Sequence, residues 1–367
     1  MKTLYLFNPS HDEALASGSP YYCPSKTARR LSAEWAVLPM LWAGTDDYVC
    51  LADDSDEYGE DMALARCHSV SWRELRPTFW QQIDRVEPWG WDPLVRHMLV
   101  RHGCPERLLL SDAEIEWVRK LSSRESTAIL LPALHSKLAA VGIATVGESF
   151  ILREEAELDS LMQHYGSMML KSLWSCSGRG VFGVEGSLSD STRGRIRRLL
   201  REQGGFEAEP RYEGVLDFAL EFEALADGSV RALGISMFDT NDAGAYLGNA
   251  VAPQSVLEER LFSKWNTTLL SECNLSEEKT SFHSLYTQLQ RICCSQIAML
   301  LGGHYVGLLG VDMMLVSSDA GNVLHPCIEL NLRRTMGHVA LALQSQSFPP
   351  SKLPSRLKNL FSWPVNH

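Results

Sequence analysis

HPCIELNLRRTMGH, residues 325–338, carries Glu329, Asn331 and Arg333 two apart among residues that otherwise read as a buried strand. Alternate residues of a strand share a face. These three are therefore expected to point together, with Ile328, Leu330 and Leu332 pointing the other way. A polar face buried without partners would be costly. The pattern makes sense as a packed strand on one side and a metal-and-phosphate site on the other. The preceding GLLGVDMMLVSS and the turn with Asp319, Gly321 and Asn322 make this stretch the second half of a hairpin. Asp312 on the first strand, with Glu329 and Asn331 on its partner, then forms an oxygen-only ligand set. Mg²⁺ prefers such a set and completes it with water and substrate phosphates.

The bulk of the sequence restricts the classes of function. With 367 residues, 45% hydrophobic and 22% charged, the chain is too long for one typical domain. Its net charge of −11 and the lack of a strong basic patch argue against nucleic acid as the main partner. A phosphorylated small molecule needs only a few local cations and is not excluded. Nine cysteines without regular spacing read as reduced thiols. The apolar run in MKTLYLFNPS is too short for a signal peptide, and no stretch approaches a membrane span. A soluble cytoplasmic protein is expected, and the sequence leaves its oligomeric state open.

Moving outward, TLYLF breaking at Asn8-Pro9, helix-rich segments and then DYVCLADD suggest an N-terminal α/β domain with a parallel sheet over residues 1–120. Asn8, His11, Asp12 and Asp92 lie at its strand-to-loop exits, where such domains place ligands. A helix over SSRESTAILLPALHSKLAAVGI leads into SMMLKSLWSCSGRGVFGV, a strand, glycine-containing loop and strand. There Lys171 offers a point charge, and Ser177, Gly178 and Gly180 offer a close backbone approach to a phosphate. It is not a Walker motif. In FEAEPRYEGVLDFALEFE, Glu209 ends a strand at Pro210 and Asp217 begins the next. An extended connector followed by acids suits an adenine and its ribose.

The order of these elements resembles the ATP-grasp superfamily of ligases, over about residues 120 to 345. The most specific part is GVDMM with PCIELNLR, similar to that family's metal-binding strands. The resemblance implies mixed α/β and α+β architecture: a pre-ATP-grasp-like domain (1–120), a small lid subdomain with its linking helix (121–205), a large subdomain with the metal site (206–345) and a C-terminal tail (346–367). It implies ATP as the nucleotide and Mg²⁺, or alternatively Mn²⁺, on Asp312, Glu329 and Asn331. Lys171 matches the phosphate lysine, Ser177, Gly178 and Gly180 the phosphate loop, Glu209 the hinge acid and Asp217 the ribose binder. Arg124 stands where the family commonly has lysine. Gly310 and Val311 stand where it often has a basic residue, so Arg333 is expected to supply that charge. The implied activity is ATP-dependent activation of a carboxylate as an acyl phosphate, followed by attack of an amine or a thiol. A phosphotransferase on the same site and a silent nucleotide-binding regulator are the alternatives.

Overall fold

A computed structural model of the chain describes residues 1–52, 66–175, 180–241, 246–265, 275–319 and 321–363, of which 275–281 by backbone only. The fold divides into two units. One comprises Met1–Lys120, Gly248–Val251 and Arg333–His367, the other Leu121–Leu247 and Ala252–Leu332.

The first unit is built on four short strands, β1 (Thr3–Leu6), β2 (Tyr48–Leu51), β3 (His68–Ser71) and β4 (Arg85–Pro88), all parallel, in the order β3-β2-β1-β4. Strand alternation explains its two-faced core. Leu4 and Leu6 pack with Val70, Ile83, Val95 and Leu99. Tyr5 and Phe7 join a second cluster with Val37, Leu38, Trp89, Val339 and Leu343. A parallel sheet needs cover on both faces, and part of this cover comes from the far end of the chain. Leu353, Leu357 and Phe361 are buried in the same cluster, and Asn249 and Ala250 pair in parallel with Phe361 and Ser362. The segment 346–367 is thus core material for the first unit as far as it is described.

The second unit holds two sheets. A small antiparallel sheet consists of β5 (Phe150–Leu152), β6 (Ser167–Ser172), β7 (Val181–Glu185) and β8 (Phe206–Pro210), in the order β5-β8-β6-β7. Its core gathers Leu158, Met168, Leu170, Ile196, Phe206 and Ala208. The larger sheet runs from β10 (Val230–Thr240) and β9 (Gly214–Ala224) to the closing hairpin, Gly307–Val316 and Val323–Asn331, with all neighbours antiparallel. The helix Leu275–Leu301 and the helix Arg124–Ala139 pack together. Leu130, Leu134 and Leu138 of the latter are buried.

The closing hairpin sets the register that matters for function. Asp312 lies opposite Glu329 and Gly310 opposite Asn331. Beyond Asp312 the pairing shifts, so that Met314 meets His325. Pro326, which has no N–H to donate to a ladder, lies within the shifted stretch. The segment before β5 runs alongside, with Val146 donating its N–H to the Leu324 carbonyl at 2.9 Å. Next to it Gly147 has φ +126°, and a Cβ there would stand 2.5 Å from His325 Nε2. Both the backbone conformation and the space call for glycine. Gly147→Ala is expected to lower stability by about 2 kcal/mol or more, read as a reduced midpoint in urea unfolding. An unchanged midpoint would show that this close approach is not built as described.

Candidate functional site

Arg124 opens its helix, where its backbone N–H donates to the Leu173 carbonyl at 3.0 Å. That anchor sends the guanidinium back under the end of β6. Its Nε donates to the Ser172 carbonyl at 3.0 Å and its Nη2 to Ser175 Oγ at 3.1 Å. The same Nη2 lies 2.8 Å from Glu329 Oε1, and Nη1 lies 3.6 Å from Glu207 Oε2. Burial disfavours the charge of Arg124, but the surrounding Glu329, Glu207 and Glu209 carboxylates outweigh it and hold the pKa above the ordinary value.

Lys171 stands on β6 with Nζ 2.6 Å from Glu209 Oε1 and 3.8 Å from Glu207 Oε2. Glu209 is pushed above the usual carboxylate range by burial, against the pull of Lys171. Lys171 Nζ, Arg124 Nη1 and Glu207 Oε2 are buried without a hydrogen bond of proper alignment. Charged donors left in this state are what an anionic group on a ligand would satisfy. Glu207 went unnoticed in the sequence. It is fully buried, takes a hydrogen bond from Ser149 Oγ at 2.5 Å, and faces both cations. The signal was present in FEAEP, where Glu207 and Glu209 alternate with buried Phe206 and Ala208.

Lys171, Arg124 and Glu209 line a cavity of 1340 Å³ together with Asp217, Asp312 and Glu329. Its described lining holds four basic residues (Arg124, Lys171, Arg211, Arg260) against seven acidic ones. A polyphosphate would meet net repulsion in such a cavity unless a cation entered with it. Asp312 and Glu329 supply two carboxylates, while Asn331 stands beside Asp312, its Nδ2 3.1 Å from Oδ2. The amide is oriented by that contact, and the reverse orientation would present its oxygen. Among the described residues no group of three or more His, Cys, Asp or Glu is gathered to hold a metal. Two carboxylates on facing strands, Asp312 and Glu329, fit an ion that completes its shell from substrate and water, as Mg²⁺ does. They do not fit a nitrogen- and sulfur-bound zinc.

The remaining expected residues are placed as follows. Asp217 accepts a hydrogen bond from Thr240 Oγ1 at 2.8 Å, and burial raises its pKa despite that bond. Gly180 has φ +75°, and its carbonyl accepts from the Ser172 N–H at 3.0 Å, closing the base of the β6–β7 connection. Ser177 and Gly178 lie outside the described residues. Arg333 lies past the closing strand, which ends at Asn331. It belongs to the first unit and pairs through Nε with Asp12 Oδ2 at 3.0 Å. The expectation that it shares a strand face with Glu329 and Asn331 therefore does not hold. Arg334 pairs with Glu87 at 2.6 Å and lies 4.2 Å over the Trp42 ring.

No family model matches the chain, and no curated protein matches it in sequence. Solved structures do. One is the biotin carboxylase domain of 2-oxoglutarate carboxylase from Hydrogenobacter thermophilus, in complex with MgADP, ADP and bicarbonate. It is 13% identical, with a TM-score of 0.50 over 95% of this chain and 70% of that one. Another is pyruvate carboxylase from Rhizobium etli, 13% identical with a TM-score of 0.50, covering 97% of this chain and 30% of that one. The chain thus has the ATP-grasp fold, a mixed α/β architecture that joins a parallel sheet to sheets of mainly antiparallel strands. Fold by itself does not fix substrate. No described helix is long and apolar enough to cross a membrane.

His325 gives the second unit a pH signature. Its ring is fully buried, packs edge-on to Tyr212 and has no hydrogen-bond partner at either nitrogen. Burial, then Lys171 and His135, lower its pKa from 6.5 to about 3. Between those values the unfolded chain binds the proton and the folded chain does not. Stability therefore falls as pH falls through this window, by up to about 1.4 kcal/mol per pH unit. Urea unfolding at pH 7 and pH 5 should show a steeper loss for the native chain than for His325→Phe. Equal losses would remove His325 as the cause.

Proposed function

We propose that this chain is an ATP- and Mg²⁺-dependent ligase that activates a carboxylate as an acyl phosphate and passes the acyl group to an amine. The observation that carries the reading is the pairing of buried, incompletely bonded Lys171 and Arg124 with Asp312 and Glu329 in one cavity. The donors left unsatisfied, Lys171 Nζ and Arg124 Nη1, suit phosphate oxygens, and the neighbouring carboxylates suit the metal that accompanies them. The fold supports the same reading, and the Hydrogenobacter thermophilus structure that shares it holds MgADP and bicarbonate.

In this reading Lys171 holds the phosphates from β6. Glu207, buried and facing both cations, holds Arg124 and Lys171 in place before the nucleotide arrives. Preorganisation of this kind leaves little reorganisation for the moment of phosphoryl transfer. Glu209 at the end of β8 and Asp217 at the start of β9 are assigned to the adenosine side, Asp217 to the ribose hydroxyls. Asp312, Glu329 and Asn331 would hold Mg²⁺, which supplies charge neutralisation at the phosphates. Glu329 must then divide its two oxygens between the metal and Arg124, so that Arg124 couples the metal site to the start of the phosphate loop. The Arg333 guanidinium, committed to Asp12 in the first unit, is given no part at the phosphates.

Thermal unfolding with ATP, ADP or GTP, each with and without Mg²⁺, tests the nucleotide site. A ligand that binds only the folded chain raises its melting temperature. Adenine nucleotides with Mg²⁺ are expected to do so. Lys171→Ala should weaken ATP binding by about tenfold or more, the loss of one charge-assisted contact. Glu329→Ala should abolish the dependence on Mg²⁺. No shift at millimolar ATP, or a Glu329→Ala chain with native Mg²⁺ dependence, would overturn the assignment.

A further inference from the structure

The first unit contains a second group of charged side chains, at a place where its topology favours a ligand. In the order β3-β2-β1-β4 the chain first moves outward from β1 to one side, then returns to place β4 on the other. The carboxyl ends of β1 and β4 therefore flank a topological switch point, the crevice in which open parallel sheets bind ligands. Asn8 and His11 follow β1, and Asp92 follows β4. Asn8 Nδ2 donates to the Gly90 carbonyl at 2.7 Å and to Asp92 Oδ2 at 2.8 Å, tying the two strand exits together. Asp92 Oδ1 accepts from the Val95 N–H at 2.8 Å, which fixes the carboxylate.

His11 is the informative residue. It is 1% exposed, and neither ring nitrogen has a hydrogen-bond partner. Its Nδ1 lies 3.7 Å from Asp92 Oδ2. The ring lies against Gly90, where a Cβ would come within 2.7 Å of it, so the backbone has been kept bare to seat an imidazole. A buried ring held this closely and left without partners is explained by a ligand that supplies them.

The charges say what kind of ligand. Asp12, 9% exposed, pairs with Arg333 at 3.0 Å. Asp12 and Asp92 together set two carboxylates against the one guanidinium of Arg333, since Arg334 is engaged by Glu87. A simple acid would add to this negative excess. A simple amine would draw Asp12 from Arg333 and cost the guanidinium the carboxylate at its Nε. A zwitterion does neither, because its ammonium adds a cation beside Asp12 while its carboxylate gives Arg333 a new partner.

We propose that Asn8, His11, Asp12, Asp92 and Arg333 form a binding site for an α-amino acid. Its ammonium is taken by Asp12 and His11, its carboxylate by Arg333, and Asn8 and Asp92 position the imidazole. The role of this ligand as the amine co-substrate rests on the ligase reading above, whereas the binding site does not.

The test is calorimetric titration of the full chain, without nucleotide, with each of the α-amino acids. The strongest binder is then compared with its N-acetyl derivative, which lacks the ammonium, and its carboxamide, which lacks the carboxylate. Saturable binding is expected, about tenfold or more weaker for either derivative. His11→Phe keeps a ring on Gly90 and removes both nitrogens, and Arg333→Gln removes the guanidinium. Each should weaken the amino acid by about tenfold while leaving Mg·ATP affinity unchanged. Should His11→Phe fail to fold, Arg333→Gln carries the comparison. No binding by any α-amino acid at 20 mM (about the weakest interaction worth a site), derivatives that bind equally, or variants that bind as the native chain would overturn the proposal. Amino-acid binding in a chain that ignores Mg·ATP would sink the ligase reading and leave this site standing.

Discussion

The ion pair between the buried Arg124 and the partly exposed Glu329 is the constraint on which the second unit depends. One guanidinium ties the first turn of the long helix to the end of β6, to Ser175 and to the closing hairpin. A planar fork with five donors can satisfy several acceptors at fixed angles, whereas an ammonium on a flexible stem cannot. The arginine at this position therefore does more than replace a lysine charge. It makes the Glu329 carboxylate and the backbone at the end of β6 share one side chain. Glu207 is the counterpart that makes the arrangement tolerable. Burial of two cations is expensive unless they are compensated, and a fully buried carboxylate facing both of them supplies that compensation.

The cavity is more acidic than a polyphosphate site would be by itself. Acidic residues outnumber basic ones in its described lining, and the closing hairpin adds to the excess by setting Asp312 opposite Glu329. Like charges directly across a ladder are destabilising. Arg124 relieves one of them and Asn331 donates to the other. Opposite Asn331 stands Gly310, which has no side chain to compete for that space. A divalent cation placed between these carboxylates would turn the repulsion into attraction.

The first unit separates its own charges in a different way. Its polar residues collect at the exits of β1 and β4, while both faces of the sheet are apolar. One of those faces is completed by residues from beyond position 333. Arg333 and Arg334 begin that returning segment and are bound at once to Asp12 and Glu87. The return of the chain thus delivers a guanidinium to the switch point that the first strands could not provide from their own sequence.

Local periodicity made much of this legible. The alternation in ELNLR, the turn at Asp319–Asn322 and the opposed Asp312 determined a hairpin that sets Asp312 opposite Glu329, because strand geometry dictates where neighbouring residues point. The strand–helix–strand order determined a parallel sheet for the same local reason. Tertiary structure decided what sequence spacing leaves open: which strands become neighbours. Arg124 meets Glu329 only because the helix packs against the closing strand, and Glu207 faces both cations only because β8 lies between β5 and β6. Arg333 was read one period too far. The strand ends at Asn331, so alternation no longer governs it, and its partner was chosen by the fold of the other unit. An ion pair between distant residues has no periodic signature in the chain. Its cost and benefit are set by burial, which exists only once the sheets have assembled.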